Sequence, residues 1–284
     1  MFYVRHGSDS FTMIDCDLSE DNADQIIDEL KKQSEDKGIR RFLSTHPDED
    51  HFGGIEALDE ALPIANFYVV KNEAIKAVDT PSFEHYCKLR DGEHAFYISK
   101  GVSRRWLNKS DDSRSGAGIS ILWPDTENAL FKDALRKCNN GEAYNNISPV
   151  IRYSVDGGAS FLWLGDLDTD FMEDVADSID LESTTVVFAS HHGRRSGKIP
   201  DSWLDRLTPR LIVIGEAPSR HLHYYTGYQT LTQNSAGNIT MDCSGDHVHI
   251  YVSEPTYVTD GLSNEGLADL NVQFYIGSVI AAPK

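Results

Sequence analysis

The chain has 284 residues, of which 40% are hydrophobic and 25% charged, a soluble globular balance long enough for one large domain or two small ones. The net charge of −19 opposes tight, sequence-blind binding to duplex nucleic acid. No apolar run approaches the roughly 20 residues that span a bilayer, so no membrane association is expected.

In chain order, MFYVRHG and SFTMIDCD read as strands, the second ending in Asp15 and Asp17. The opening residues lack a basic segment followed by an apolar core, so no signal peptide is expected. A helix follows, starting near Asp21 or Asn22, with ADQIIDELKKQ as its body. Ile26, Ile27 and Leu30 share one face there, and Lys31 and Lys32 sit at the end that the helix dipole favours for cations. IRRFLST is a strand, IEALDEALP a helix stopped by Pro63, and NFYVV another strand. Residues 71–118 are polar with scattered aromatics and are expected to hold helices and an irregular insertion or lid. ISILWP then reads as a strand and ALFKDALRK as a helix. SPVIRYSV and ASFLWLGD flank the turn DGG, a hairpin signal. FMEDVADSI is helical, TTVVFAS and RLIVIGE are buried strands, YQTLTQ reads as a short helix, and NITMDC and HVHIYVSE are closing strands. No linker interrupts the pattern, so residues 1–284 are expected to form a single domain. The cysteines, Cys16, Cys87, Cys138 and Cys243, form no CxxC pair and read as reduced thiols of a cytoplasmic protein.

The polar residues fall at the ends of these apolar strands. Asp15, His46, Asp166, the pair His191 and His192, and then His221 and His223 each follow one. If the strands share a sheet edge, these side chains meet at one rim. The densest run is THPDEDHFGG. Asp48-Glu49-Asp50 alone would be an ordinary solvated loop, but the added histidines, the double glycine and the apolar lead-in point to metal. Alternate side chains of an extended or turning segment point the same way, so His46 and Asp48 can grip one cation while Asp50 and His51 reach a second. Imidazole and carboxylate suit Zn²⁺, Mn²⁺ or Fe²⁺, and no cysteine offers a thiolate nearby. Gly53 and Gly54 let the backbone turn sharply beneath.

THPDEDHFGG resembles the HxHxDH signature of the metallo-β-lactamase superfamily, with Asp48 in place of the second histidine. FLWLGD resembles that family's later strand, whose aspartate bridges two metals, and MID resembles its early structural aspartate. ASHHG, followed by a further strand and a histidine, is similar to the hydrolase domain of bacterial DNA-uptake competence proteins, a subgroup that also carries HxDxDH. The resemblance implies an α/β fold, a four-layer αββα sandwich of two mixed sheets with helices outside. It also implies two divalent ions, Zn²⁺ or Mn²⁺. His46 and Asp48 would hold the first and Asp50 and His51 the second. Asp166 would bridge them, and His191 or His192 and His221 or His223 would complete the shell. Among these, His191 and His223 are taken as ligands and His192 and His221, with Asp50, as catalytic groups. Asp15, Gly53 and Gly54 are structural. The family's usual histidine shortly before the bridging aspartate is missing, since none lies between His94 and His191. The corresponding stretch YNNISPV offers Asn145, Asn146 or Ser148 instead, and one ion is expected to be labile.

Hydrolysis is the favoured reaction, for no nucleotide-binding glycine fingerprint is present. Arg194, Arg195 and Lys198, beside the double histidine, suit a phosphate-bearing substrate. The expectation is a phosphodiesterase acting on a small nucleotide or on single-stranded nucleic acid, alone or with a protein partner. The alternatives are an amide, ester or lactone hydrolase or a peptidase-like enzyme on the same fold, and a partner-binding sensor module with a weakened site.

Overall fold

The computed structural model describes residues 1–6 and 10–282. Gly7, at the end of the first predicted strand, lies outside the described residues. The fold is mixed α/β, with two large mixed sheets flanked by helices and a small third sheet. The chain forms two compact units, one of Met1–Val102 with Pro124–Pro149, the other of Ser103–Trp123 with Val150–Lys284.

The first unit is built on strands β1 (Phe2–Arg5), β2 (Phe11–Ile14), β4 (Arg41–Ser44), β5 (Phe67–Val69) and β6 (Ala95–Tyr97), in the order β1-β2-β4-β5-β6. β1 runs antiparallel to β2, and all later neighbours are parallel. A two-residue strand, β3 (Cys16–Asp17), bridges to Phe52 and Gly53 instead. Parallel strands buried on both faces need continuous apolar sequence, and FTMI, RFLS and FYV are buried along their whole length. The helices are α1 (Ala23–Ser34), α2 (Glu49–Phe52), α3 (Ile55–Ala61), α4 (Pro81–Asp91) and α5 (Ala129–Asn139). Ile27 and Leu30 of α1, Leu58 of α3, and Phe83 and Tyr86 of α4 pack with Met13, Phe42 and Phe67 into one core. α4 starts on Thr80, whose hydroxyl accepts the Phe83 amide, with Pro81 in the first turn, where a missing N–H does no harm.

The second unit carries β7 (Ile119–Trp123), β8 (Val150–Ser154), β9 (Ser160–Trp163), β10 (Val186–Phe188), β11 (Leu211–Ile214) and β12 (Thr230–Thr232), in the order β12-β11-β10-β9-β8-β7. β9 to β12 are parallel, and β7, β8 and β9 are antiparallel. The predicted hairpin is present, with Ser154 opposite Ser160 across the turn that holds Gly157 and Gly158. Helices α6 (Thr169–Val175) and α7 (Asp201–Leu207) pack together, the buried Trp203 indole donating to the Met172 carbonyl at 3.0 Å. A short helix, α8 (Gln233–Ala236), leads to an antiparallel sheet of β13 (Ile239–Ser244), β14 (His247–Val252) and β15 (Phe274–Ile280).

One local expectation is corrected. YQTLTQ is not helical: Thr230–Thr232 is strand β12, because its threonines and leucine extend the parallel ladder of β11. The run after His46 is extended at Asp48 and then turns, Glu49–Phe52 forming α2 with Asp48 as its N-terminal flanking residue. The stretch 71–118 divides between the units, 71–102 in the first and 103–118 in the second. All four cysteines are free thiols, and among the described residues no helix is long and apolar enough to cross a membrane.

Candidate functional site

Parallel pairing of β2 and β4 sets Ile14 beside Leu43, so Asp15 and Thr45 emerge together at the carboxyl ends of adjacent strands. Asp15 takes a left-handed backbone with φ 53, which turns its carboxylate inward. One oxygen accepts the Thr45 amide at 2.8 Å, and the other accepts the Thr45 hydroxyl at 2.7 Å and meets His51 Nδ1 at 2.8 Å. A carboxylate only accepts, so Nδ1 of His51 carries the proton and Nε2 is the atom that could ligate a metal. His46, only 1% exposed, has Nδ1 beside the hydroxyls of Thr45 (3.1 Å) and Ser148 (3.3 Å). Its Nε2 is 3.5 Å from Asp48 Oδ2, and the His46 and His51 rings lie 4.1 Å apart between centroids.

Asp48 Oδ1 faces the Lys76 ammonium at 3.3 Å. Burial alone would push the Asp48 carboxyl up, but the contact with His46 and the charge of Lys76 outweigh it and hold it below its usual value. Asp50 is exposed on the first turn of α2. Gly54 needs its left-handed φ of 69°, and a side chain there would strike Leu18. Gly53 has ordinary backbone angles; what it supplies is room, since a Cβ would lie 2.9 Å from Asp17 Oδ1.

In the second unit, parallel β9 and β10 deliver Asp166 and the double histidine to one sheet edge. Asp166 is 4% exposed. Its Oδ2 stands 3.7 Å from His191 Nε2 and 3.8 Å from His192 Nε2, so both histidines face it. Those separations suit two ligands of one ion bonded at roughly 2.0–2.2 Å. His191 Nδ1 is anchored by the Ser196 hydroxyl at 2.9 Å, and burial lowers the pKa of its ring against the opposing pull of Asp166, favouring the neutral form that ligates metal. The backbone is strained to achieve this: His191, His192 and Gly193 are consecutively left-handed, with φ of 50°, 55° and 89°.

His221 and His223 lie further along, on the 3₁₀ turn Ser219–Tyr225. His221 Nδ1 meets the Tyr224 hydroxyl at 2.9 Å, and the His223 ring packs on Tyr224 with centroids 4.5 Å apart. Tyr225, not Tyr224, is the buried tyrosine of this turn. Arg194 and Arg195 are exposed, and their charges act on His221 together with that of Arg220. Lys198 is paired to Asp201 at 3.1 Å. Lys76 and Arg220 were absent from the sequence expectations. Arg220 adjoins His221 in the chain and was legible in principle, whereas nothing local marks Lys76.

Donors able to hold a metal ion include His46, Asp50 and His51 in the first unit and Asp166 and His192 in the second. The donor chemistry fits a divalent ion of borderline character: imidazoles with their inner nitrogens already hydrogen-bonded, carboxylates beside them, and no thiolate.

The model of the Metallo-beta-lactamase superfamily matches residues 1–83, the segment that holds Asp15, His46, Asp48, Asp50 and His51. Among solved structures, the metallo-beta-lactamase fold protein YhfI from Bacillus subtilis is similar, with a TM-score of 0.41 and 11% identity over 80% of this chain and 85% of that one. No curated protein matches the chain.

Proposed function

We propose that this protein is a metal-dependent hydrolase of phosphodiesters, acting on a nucleotide or on single-stranded nucleic acid. The observation that carries the reading is the paired orientation of its histidines. Asp15 holds Nδ1 of His51, and Thr45 and Ser148 flank Nδ1 of His46, which supports both Nε2 atoms as candidate ligands. The proposed donors within the first unit are His46, Asp48, Asp50 and His51; within the second they are Asp166, His191 and His192, with His223 as an outer candidate. Bound there, Zn²⁺ or Mn²⁺ would supply hydroxide at neutral pH and polarise the scissile group. Asp50, exposed at the start of α2, is the candidate to take the proton of the attacking water. Arg194 and Arg195, with Arg220 added by the structure, would hold the phosphate, and His221, whose Nε2 accepts from Arg220 Nε at 3.2 Å, would orient that guanidinium. The overall charge of −19 favours a small or single-stranded substrate over a duplex.

Elemental analysis of the purified protein tests this, for wild type, His51→Ala and Asp166→Ala in parallel. Bound transition metal in the wild type, lost in both variants, is expected. Hydrolysis of bis(p-nitrophenyl) phosphate should exceed that of p-nitrophenyl acetate when Mn²⁺ or Zn²⁺ is present. Metal without phosphodiesterase activity but with esterase activity moves the reading to the carbonyl hydrolases. A protein that takes up no metal ends it.

A further inference from the structure

Lys76 lies in the irregular run between β5 and α4, yet its side chain is only 14% exposed. Its ammonium is enclosed by the rings of Tyr144, Phe52 and Phe83, at 4.5, 5.6 and 5.8 Å from their centroids. Phe52 ends α2, Phe83 belongs to α4 and Tyr144 follows α5, so separate elements build this enclosure. Tyr144 also donates its hydroxyl to the carbonyl of Ile75, which fixes the backbone beside the lysine. Aromatic faces stabilise a cation most where water is scarce. A buried ammonium still needs a counter-charge, and Asp48 Oδ1 supplies it at 3.3 Å. The other oxygen of that carboxylate, Oδ2, faces His46 Nε2 at 3.5 Å. Asp48 is thus divided between a fixed internal cation and a candidate ligand.

We infer that Lys76 is a positioning residue that makes Asp48 a one-oxygen, charge-compensated metal ligand and thereby weakens metal binding beside His46. This rests on the metal-binding reading above. With Oδ1 held by the ammonium, Asp48 presents Oδ2 alone. The pair carries no net charge, as a neutral imidazole does, so the attraction of a bare carboxylate for a divalent ion is cancelled. The ammonium also repels that ion directly, through a partly buried medium that screens poorly. Two effects oppose each other when the charge is removed: Asp48 gains rotational freedom, and the ion loses a repelling neighbour. A carboxylate on a short side chain has little rotamer entropy to regain, so the electrostatic effect wins.

The test is Zn²⁺ affinity of the metal-stripped full chain, measured by competition with a chromophoric chelator. Lys76→Met keeps the volume and removes the charge; Lys76→Arg keeps the charge. Lys76→Met is expected to bind Zn²⁺ at least about tenfold more tightly than wild type, and Lys76→Arg within about threefold of it. Lys76→Gln keeps a donor to Oδ1 without the charge and gives the same comparison if the methionine variant does not fold. A folded Lys76→Met or Lys76→Gln protein with unchanged or weaker affinity overturns the inference while leaving the metal reading intact. A wild type that binds no Zn²⁺ overturns both.

Discussion

Asp15 shows how one residue can organise several others. It is 5% exposed, left-handed, and accepts from the Thr45 amide, the Thr45 hydroxyl and His51 Nδ1. Asp15→Ala removes every acceptor at once and is expected to destabilise the fold by about 3 kcal/mol in urea unfolding. Asp15→Asn tolerates the same backbone and keeps one carbonyl, so about half that loss is expected. Asp111 carries a pH-dependent counterpart away from the histidines. Its carboxylate accepts from the Ser113 hydroxyl and amide, from the Trp106 indole and from the Arg114 amide, which lowers its pKa to about 2. A depressed carboxyl contributes to the fold above its unfolded pKa, and that contribution fades as pH falls through the folded value. Amide hydrogen exchange at Ser113 and Arg114 should therefore show protection that is complete above about pH 4 and lost toward pH 2.

Among the elements, the turn after β10 has the most specialised geometry. His191 and His192 are left-handed, which side chains accept only under constraint, and Gly193 at φ 89 closes the turn against Ile214. Gly193→Ala would bring a Cβ to 2.6 Å from Ile214 Cγ2. The expected outcome is a loss of about 2 kcal/mol in stability together with lower metal content, measured by thermal melts and elemental analysis on the same preparation. Lowered metal content with an unchanged melt would place the strain on the histidines alone. Most elements were legible from the sequence. The apolar runs of β2, β4, β5, β9, β10 and β11 announce strands buried on both faces, and amphipathic spacing marks α1 and α5. The misses have local causes. α2 is a single turn inside a polar run, too short for a periodic signal, and β15 follows a long irregular segment and is recognisable only by its pairing with β14.

At the scale of the whole molecule, a net charge of −19 coexists with a cationic cluster of Arg194, Arg195 and Arg220 around His221. If the substrate is the phosphodiester proposed above, it is captured against the general field by that local one. Arg195→Glu combined with Arg220→Glu is expected to raise KM for a phosphodiester about tenfold or more with little change in kcat, as loss of a binding contact does. The wild-type kcat/KM should fall with added salt, and the double variant should lose most of that dependence. Metal binding, if it occurs as proposed, couples to folding, because His46 and His51 are oriented by Asp15, Thr45 and Ser148 only in the native state. Chelation of metal from the purified protein should lower its melting temperature, and Zn²⁺ in excess should restore it.

The sequence by itself determined the strand and helix alternation, the donor types and their placement just after apolar strands. These are local properties: burial on both faces demands apolar runs, and ligation demands imidazole and carboxylate side chains. It left His191 and His192 undistinguished, and the structure turns both toward Asp166. It offered Asn145, Asn146 or Ser148 near the histidines, and the structure sets the Ser148 hydroxyl beside His46, 102 residues away along the chain. Lys76 had no local mark at all; its partner carboxylate and its aromatic enclosure exist only because α2, α4 and the segment after α5 pack around it. Residue type is encoded where it stands, but which nitrogen a histidine presents and which charge a carboxylate sees are set by neighbours that only folding brings near.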